Sequence, residues 1–139
     1  MASTARWSCA TTLPSDPTSA SVARAFVREH LVEHDLSHLV DDMVLAASEL
    51  ATNAIQHART PFDVELSRAN GLVRIVVTDS SASTVTRRAP DDLDESGRGL
   101  MIVELVSHEW GTDTDRHGLS SVWASFLESP ASTGSPVNV

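Results

Sequence analysis

The sequence predicts an α/β two-layer sandwich, in which a mixed, mostly antiparallel sheet carries helices on one of its faces. Two long segments with helical spacing of apolar residues are followed by two strand-like segments around the turn Ala69-Asn70-Gly71. A second strand pair is predicted near the C-terminal end, between residues 108 and 127. The length of 139 residues is typical of one domain with a single core.

The N-terminal part predicts an edge strand followed by a helix. Residues 5–13 contain Trp and Thr and stop at Pro14, which is typical of a strand at a sheet edge. Asp16 and Pro17 then supply a helix cap and a proline at the first helical position. The helix is expected to reach about His34, with apolar residues at Val22, Ala25, Phe26 and Leu31.

A second helix and a hairpin follow. The helix is predicted from an N-cap at Ser37 to the Arg-Thr-Pro break at residues 59–61. Residues 62–68 and 72–78 alternate in polarity or are rich in β-branched side chains, as strands are. Because Asn-Gly separates them, we expect a two-stranded hairpin.

The C-terminal half begins with a long polar segment. Residues 80–98 are rich in Ser, Thr, Arg and Asp and exceed most connections within a domain, which predicts a lid or binding loop. A short helix is expected at residues 99–106, and a last strand pair around residues 108–112 and 119–127. Residues 129–139 are rich in Ser, Pro and Gly and are predicted to be a disordered tail.

Charge and cysteine content exclude some classes of protein. The net charge is −9, and only ten residues are Lys or Arg, so we expect no general surface for nucleic acid or anionic membranes. Cys9 is the single cysteine, and therefore no internal disulfide can form. No stretch is long and apolar enough for a signal peptide or a membrane span. We therefore expect a cytoplasmic protein.

The second predicted helix carries polar residues at every fourth position in a small, apolar stretch. They are Glu49, Asn53 and His57, and because four residues correspond to about 400° of rotation, they follow one side of the helix. An amide oxygen is a suitable Mg²⁺ ligand, and a carboxylate can accept a proton from an attacking hydroxyl or water. The alternative is a solvated side of an amphipathic helix, which the spacing alone favours.

Two further segments contain groups that suit a nucleotide. Asp79 follows the strand predicted at residues 72–78, where a carboxylate can accept a hydrogen bond from an exocyclic amine. Gly97, Arg98 and Gly99 form a turn before a helix, and such glycines let backbone N–H groups approach phosphate. Taken singly, each segment is more typical of an ordinary turn.

Together and in this order, the three segments resemble the nucleotide-binding motifs of the GHKL superfamily. Residues 49–57 (ELATNAIQH) are similar to its N box, residues 79–83 (DSSAS) to its first G box, and residues 97–100 (GRGL) to its second. The resemblance is closest to bacterial anti-sigma-factor serine/threonine kinases. It implies a Bergerat fold, with a histidine-kinase-like ATPase domain over residues 1–128.

The resemblance also implies a site for ATP and Mg²⁺. Asp79 would bind the adenine amino group, Asn53 would hold Mg²⁺ with the nucleotide, and Glu49 would be the general base. The turn at residues 97–99, with Arg98 as its cation, would close on the phosphates. The implied partners are a sigma factor and an antagonist protein that accepts phosphate on Ser or Thr, and kinases of this kind commonly pair as homodimers.

Two departures from the family pattern leave the activity open. The first G box usually has glycines where this chain has Ser81 and Ser83, whose Cβ atoms restrict the backbone. A lysine often found before the last strand is absent after Gly118. Two functions therefore remain: a protein kinase, and a nucleotide-binding switch that acts by docking proteins without catalysis.

The histidines have simpler interpretations. His57 is near a helix C-terminus, where the helix dipole favours it, and we leave it out of the catalytic set. His30, His34 and His38 are four residues apart, and the first two could bind zinc from one helical face. Because no cysteine lies nearby, a structural role is favoured.

Overall fold

The computed structural model describes residues 5–80 and 100–129. The elements in these ranges are β1 (Trp7–Leu13), α1 (Ser19–Glu33), a 3₁₀ helix (Ser37–Leu39), α2 (Val40–Ala58), β2 (Phe62–Ala69), β3 (Leu72–Asp79), α3 (residues 100–106), β4 (Glu109–Thr114) and β5 (Ser120–Leu127). None of the helices in the described ranges combines the length and apolar character needed to cross a membrane. The predicted tail beyond Ser129 and almost all of the predicted lid lie outside the described residues.

The strands form one five-stranded sheet in the order β1-β2-β3-β5-β4, and all four described pairings are antiparallel. β1 is an edge strand, as predicted. Alternate residues point to opposite faces, so Val64 and Ile75 are buried under the helices while Glu65 and Arg74 are exposed on the other face. We call the face under the helices the inner face and the opposite one the outer face. The predicted two-layer sandwich is confirmed.

The buried side of α2 is rich in small residues. This helix contacts β2, β3 and β5 on one side and α1 on another. Its buried residues are Met43, Val44, Ala46, Ala47, Leu50, Ala51 and Ala54. Because alanine side chains are short and the core is close-packed, the helix backbone can lie near the strands.

The first helix begins later than predicted. It starts at Ser19, because the Asp16 carboxylate accepts hydrogen bonds from the backbone N (3.0 Å) and Oγ1 (3.1 Å) of Thr18 and forms a turn before the helix. The predicted apolar residues Val22 and Ala25 are exposed. The buried stripe consists of Ser19, Ala23, Val27 and Leu31, at i, i+4 spacing.

The predicted N-cap of the second helix is also displaced. Ser37 begins the 3₁₀ helix, and Leu39 holds the N-cap position of α2 without a side-chain hydrogen bond. Leu36 and Leu39 are both buried. The burial of these two leucines determines where α2 begins. Capping patterns in the sequence contain no information about this burial.

The hairpin between β2 and β3 agrees with the prediction. Asn70 and Gly71 form its two-residue loop, and both have positive φ angles, 55° and 80°. These angles are what a type I′ turn requires, and the turn fixes the register of the two strands.

An ion pair holds together the end of the sheet that lies away from Asp79. Arg68 is only 3% exposed, and its guanidinium donates Nε and Nη2 to the two carboxylate oxygens of Glu128. His38 donates Nε2 to the Glu128 backbone carbonyl at 2.6 Å. The contacts connect the α1–α2 region, β2 and the end of β5, and no sequence motif predicted them.

We expect Ala51→Leu to lower the free energy of unfolding by roughly 1–3 kcal/mol, because extra carbons at a fully buried position overpack the core around α2. Urea denaturation measures the change. Ala25→Leu, at an exposed position of α1, is the control and should change the free energy by less than about 0.5 kcal/mol. Equal losses for the two substitutions would contradict the close packing of α2.

Candidate functional site

A cleft lies between the C-terminal half of α2 and the adjoining ends of β3 and β5. It encloses about 300 Å³, including space open to solvent. Its lining residues are Leu50, Asn53, Ala54, His57, Val77, Asp79, Ser120 and Val122. Four of these residues are apolar and four are polar, so the cleft offers both apolar surface and several hydrogen-bonding groups.

Helical and strand periodicity place these side chains together. On α2, the spacing of Leu50, Asn53 and His57 keeps them on the side that faces the sheet. On β3, Val77 and Asp79 are two residues apart and therefore point to the same inner face. Antiparallel pairing sets Asp79 opposite Ser120, the first residue of β5.

The structure brings together two of the predicted residues from separate segments. Asn53 and Asp79 line the same cleft, and both are half-buried. Glu49 is one helical turn before Asn53 and is also half-buried, but it is not among the lining residues. The predicted phosphate turn, residues 97–99, lies outside the described part of the chain.

Two polar residues of the cleft, His57 and Ser120, are not among the predicted site residues. His57 was assigned to the helix dipole, although its position four residues after Asn53 was a usable signal. Ser120 has no comparable signal, because only the pairing of β3 with β5 places it beside Asp79. Local sequence patterns do not report such long-range pairings.

Hydrogen bonds hold the chain segments next to the cleft. Thr78 Oγ1 and Ser121 Oγ, 2.9 Å apart, connect β3 to β5 on the outer face. Thr60 Oγ1 and Ser80 Oγ, 3.2 Å apart, connect the segment after α2 to the residue that follows β3. The chain just after α2, which carries Asn53, is therefore hydrogen-bonded to the residue just after Asp79.

The His30 and His34 side chains are oriented away from a shared metal site. His30 donates Nδ1 to the Phe26 carbonyl at 2.9 Å, and His34 donates Nδ1 to the His30 carbonyl at 2.8 Å. Because both rings bond one turn back in the same way, their Nε2 atoms are about one turn, or roughly 6 Å, apart, too far to chelate one ion. His34 also stacks on Trp7 with centroids 3.9 Å apart. In residues 5–80 and 100–129, no three ligand-type residues cluster for a metal.

Two side chains have shifted pKa values, for different reasons. Partial burial raises the pKa of the Cys9 thiol, and the carboxylates of Glu33 and Glu65 raise it further. The backbone N–H groups of Leu119 and His117 bond to the exposed Asp115 carboxylate and lower its pKa. Cys9 is therefore a poor nucleophile, and Asp115 has a structural role in the β4–β5 turn.

We expect iodoacetamide to alkylate Cys9 more slowly than free cysteine at pH values near the ordinary thiol pKa of about 8.5, because a raised pKa leaves less thiolate at a given pH. Mass spectrometry over a pH series gives the rate. The midpoint of the plot of alkylation rate against pH should lie at higher pH for Cys9 than for free cysteine. A midpoint at or below that of free cysteine would contradict the raised pKa of the Cys9 thiol.

Comparison with protein-family models assigns the chain to a known family. A family model described as "Histidine kinase-like ATPase domain" matches residues 13–124, a range that includes all the cleft residues. The chain belongs to the histidine kinase-like ATPase domain family. The match confirms the resemblance inferred from the three sequence motifs. No curated protein sequence matches the chain.

A solved structure supports the fold of this histidine kinase-like ATPase domain. The crystal structure of the RsbU and RsbW domains of Rv1364c from Mycobacterium tuberculosis superimposes with a TM-score of 0.67 at 23% sequence identity. The alignment covers 87% of this chain and 32% of that one, so this chain spans about a third of the other's length. The likeness shows a common fold.

Proposed function

We propose that the cleft binds ATP with Mg²⁺ and that the protein is an anti-sigma-factor-type serine/threonine kinase. It would transfer the γ-phosphate of ATP to a Ser or Thr of an antagonist protein. The observation that carries the proposal is the convergence of Asn53 and Asp79 on one cleft in a histidine kinase-like ATPase domain. The fold of an RsbW domain in another protein is consistent with the same role.

The apolar lining of the cleft suits an adenine base. Leu50, Ala54, Val77 and Val122 provide apolar surface for the faces of a purine ring. Asp79 is the carboxylate that lines the same cleft, and an ionised carboxylate is acceptor-only. It is therefore matched to the exocyclic amine of adenine, a hydrogen-bond donor.

The α2 side of the cleft suits the phosphates and their metal. Mg²⁺ prefers oxygen ligands and usually takes few of them from the protein, the rest coming from water and substrate phosphate. The Asn53 side-chain oxygen is such a ligand, and the bound ion would neutralise phosphate charge during transfer. Gly97, Arg98 and Gly99 would contact the phosphates, as the resemblance to the family motif implies.

Glu49 is the proposed general base. It is one turn, or roughly 6 Å, from Asn53 along α2, close to the proposed metal ligand. In the transfer, the hydroxyl oxygen of the substrate Ser or Thr bonds to the γ-phosphorus as the bond to ADP breaks. Glu49 accepts the hydroxyl proton.

The second candidate is a nucleotide-binding switch without catalysis. It is favoured by Ser81 and Ser83, which replace the glycines of the first G box. In either case the proposed partners are a sigma factor or its antagonist, and the proposed location is the cytoplasm. Pairing of two copies of the chain is part of the same proposal.

We expect Mg-ATP at a hundred times its Kd to stabilise the native chain by about 2.7 kcal/mol, seen as a higher Tm in a thermal scan. Asn53→Ala and Asp79→Asn should abolish most of this rise. Gln56→Ala, an exposed change on the same helix, should keep it. If all three variants show the native rise, the nucleotide binds elsewhere and the assignment of the cleft is wrong.

A transfer assay separates the kinase from the switch. With labelled ATP and a candidate antagonist protein, Glu49→Gln should lower phosphate transfer by roughly 10²- to 10⁴-fold while leaving the thermal shift with Mg-ATP intact, because it removes the base and not the ligand contacts. Native protein that binds ATP without transferring phosphate would favour the switch. Transfer that survives Glu49→Gln would refute the role of Glu49.

A further inference from the structure

The outer face of the sheet carries three transverse rows of side chains that the proposed nucleotide site does not use. Strand pairing defines the rows, and alternation along each strand points all their members away from the helices. In strand order they are Thr12, Asp63, Thr78, Ser121 and Asp113; Ala10, Glu65, Val76, Trp123 and Gly111; and Ser8, Ser67, Arg74, Ser125 and Glu109.

The centre of this face is an aromatic and aliphatic patch. The indole ring of Trp123 lies close to Gly111. A Cβ atom added to residue 111 would be 2.7 Å from this ring. The Arg74 guanidinium is 4.4 Å from the centroid of Trp123, and Val76 is the cross-strand neighbour of Trp123. Trp and Arg are the residue types that contribute most to binding at protein interfaces.

Carboxylates flank the patch on both sides. Asp63 and Glu65 project from β2, and Glu109 and Asp113 project from β4; all four are exposed. Arg74 is the cation within these three rows, and it is already engaged with Trp123. Because three strand spacings separate β2 from β4, the two acidic flanks are roughly 14 Å apart.

We propose that the outer face is a docking site for a protein partner that presents basic side chains on both sides of an apolar one. The apolar side chain would pack on Trp123 and Val76, and the basic side chains would pair with the carboxylates of β2 and β4. A second copy of this chain fits poorly, because two outer faces would set four carboxylates against four. The proposal does not depend on nucleotide binding in the cleft.

The test uses the full chain and a synthetic peptide, Arg-Ser-Leu-Ser-Arg. When the peptide is extended, its arginines are roughly 13 Å apart and point to the same side as the leucine. Titration of ¹⁵N-labelled protein at low salt should shift the amides of β2 to β5 and the Trp123 indole signal. Added salt should weaken the binding.

Charge reversals locate the binding. Glu65→Arg and Asp113→Arg lie on different strands, and each should weaken peptide binding by roughly fivefold or more. Glu29→Arg is the control, because it makes the same change of net charge at an exposed site on α1. Two reversal variants are used because one of them could fail to fold. The amide spectrum of each unbound variant shows whether it is folded, and the folded variant then tests the site.

Two results would overturn the proposal. Equal weakening by Glu29→Arg and by both outer-face reversals would mean that the peptide responds to net charge alone. A Trp123 signal that moves when the unbound protein is diluted would mean that a second copy occupies the face. A stationary Trp123 signal on dilution, together with site-specific loss of peptide affinity, is the expected result.

Discussion

The close packing of α2 on the inner face of the sheet is the constraint on which the site depends. Alanines at positions 46, 47, 51 and 54 are buried and keep side-chain bulk low on α2, and Ala54 itself lines the cleft. Because the helix lies near the strands, Asn53 and Asp79 share one cavity although 26 positions separate them in the sequence. Larger side chains between α2 and the sheet would move the helix away from β3 and β5, and the helix and these strands form the two sides of the proposed nucleotide site.

Local patterns predicted the elements well and the connections between them less well. The hairpin at Asn70-Gly71 follows from backbone chemistry, and the polar stripe of α2 follows from helical period. The starts of both long helices were misplaced, since the side chain of Asp16 and the burial of Leu36 override simple capping signals. The first effect is a local hydrogen bond to Thr18, whereas the second is tertiary burial, which a local window does not contain.

The same distinction applies to the site. Asn53 and Asp79 were found because each belongs to a local motif, and the fold then placed them together. Ser120 and the buried pair of Arg68 with Glu128 were not found, because each depends on strands that pair across a long stretch of sequence. On the proposed account, β3 and β5 supply the nucleotide cleft with their inner side chains and the docking face with their outer ones. The two proposed functions therefore share the same pair of strands.

The most direct test of the central claim concerns the hydrogen bond that Asp79 is proposed to accept. Calorimetry should compare ATP with inosine triphosphate, in which a carbonyl oxygen replaces the exocyclic amine, in the presence of Mg²⁺. Inosine triphosphate should bind about tenfold to a hundredfold more weakly than ATP, because two acceptors would face each other in the cleft. Equal affinities for the two nucleotides would contradict this claim.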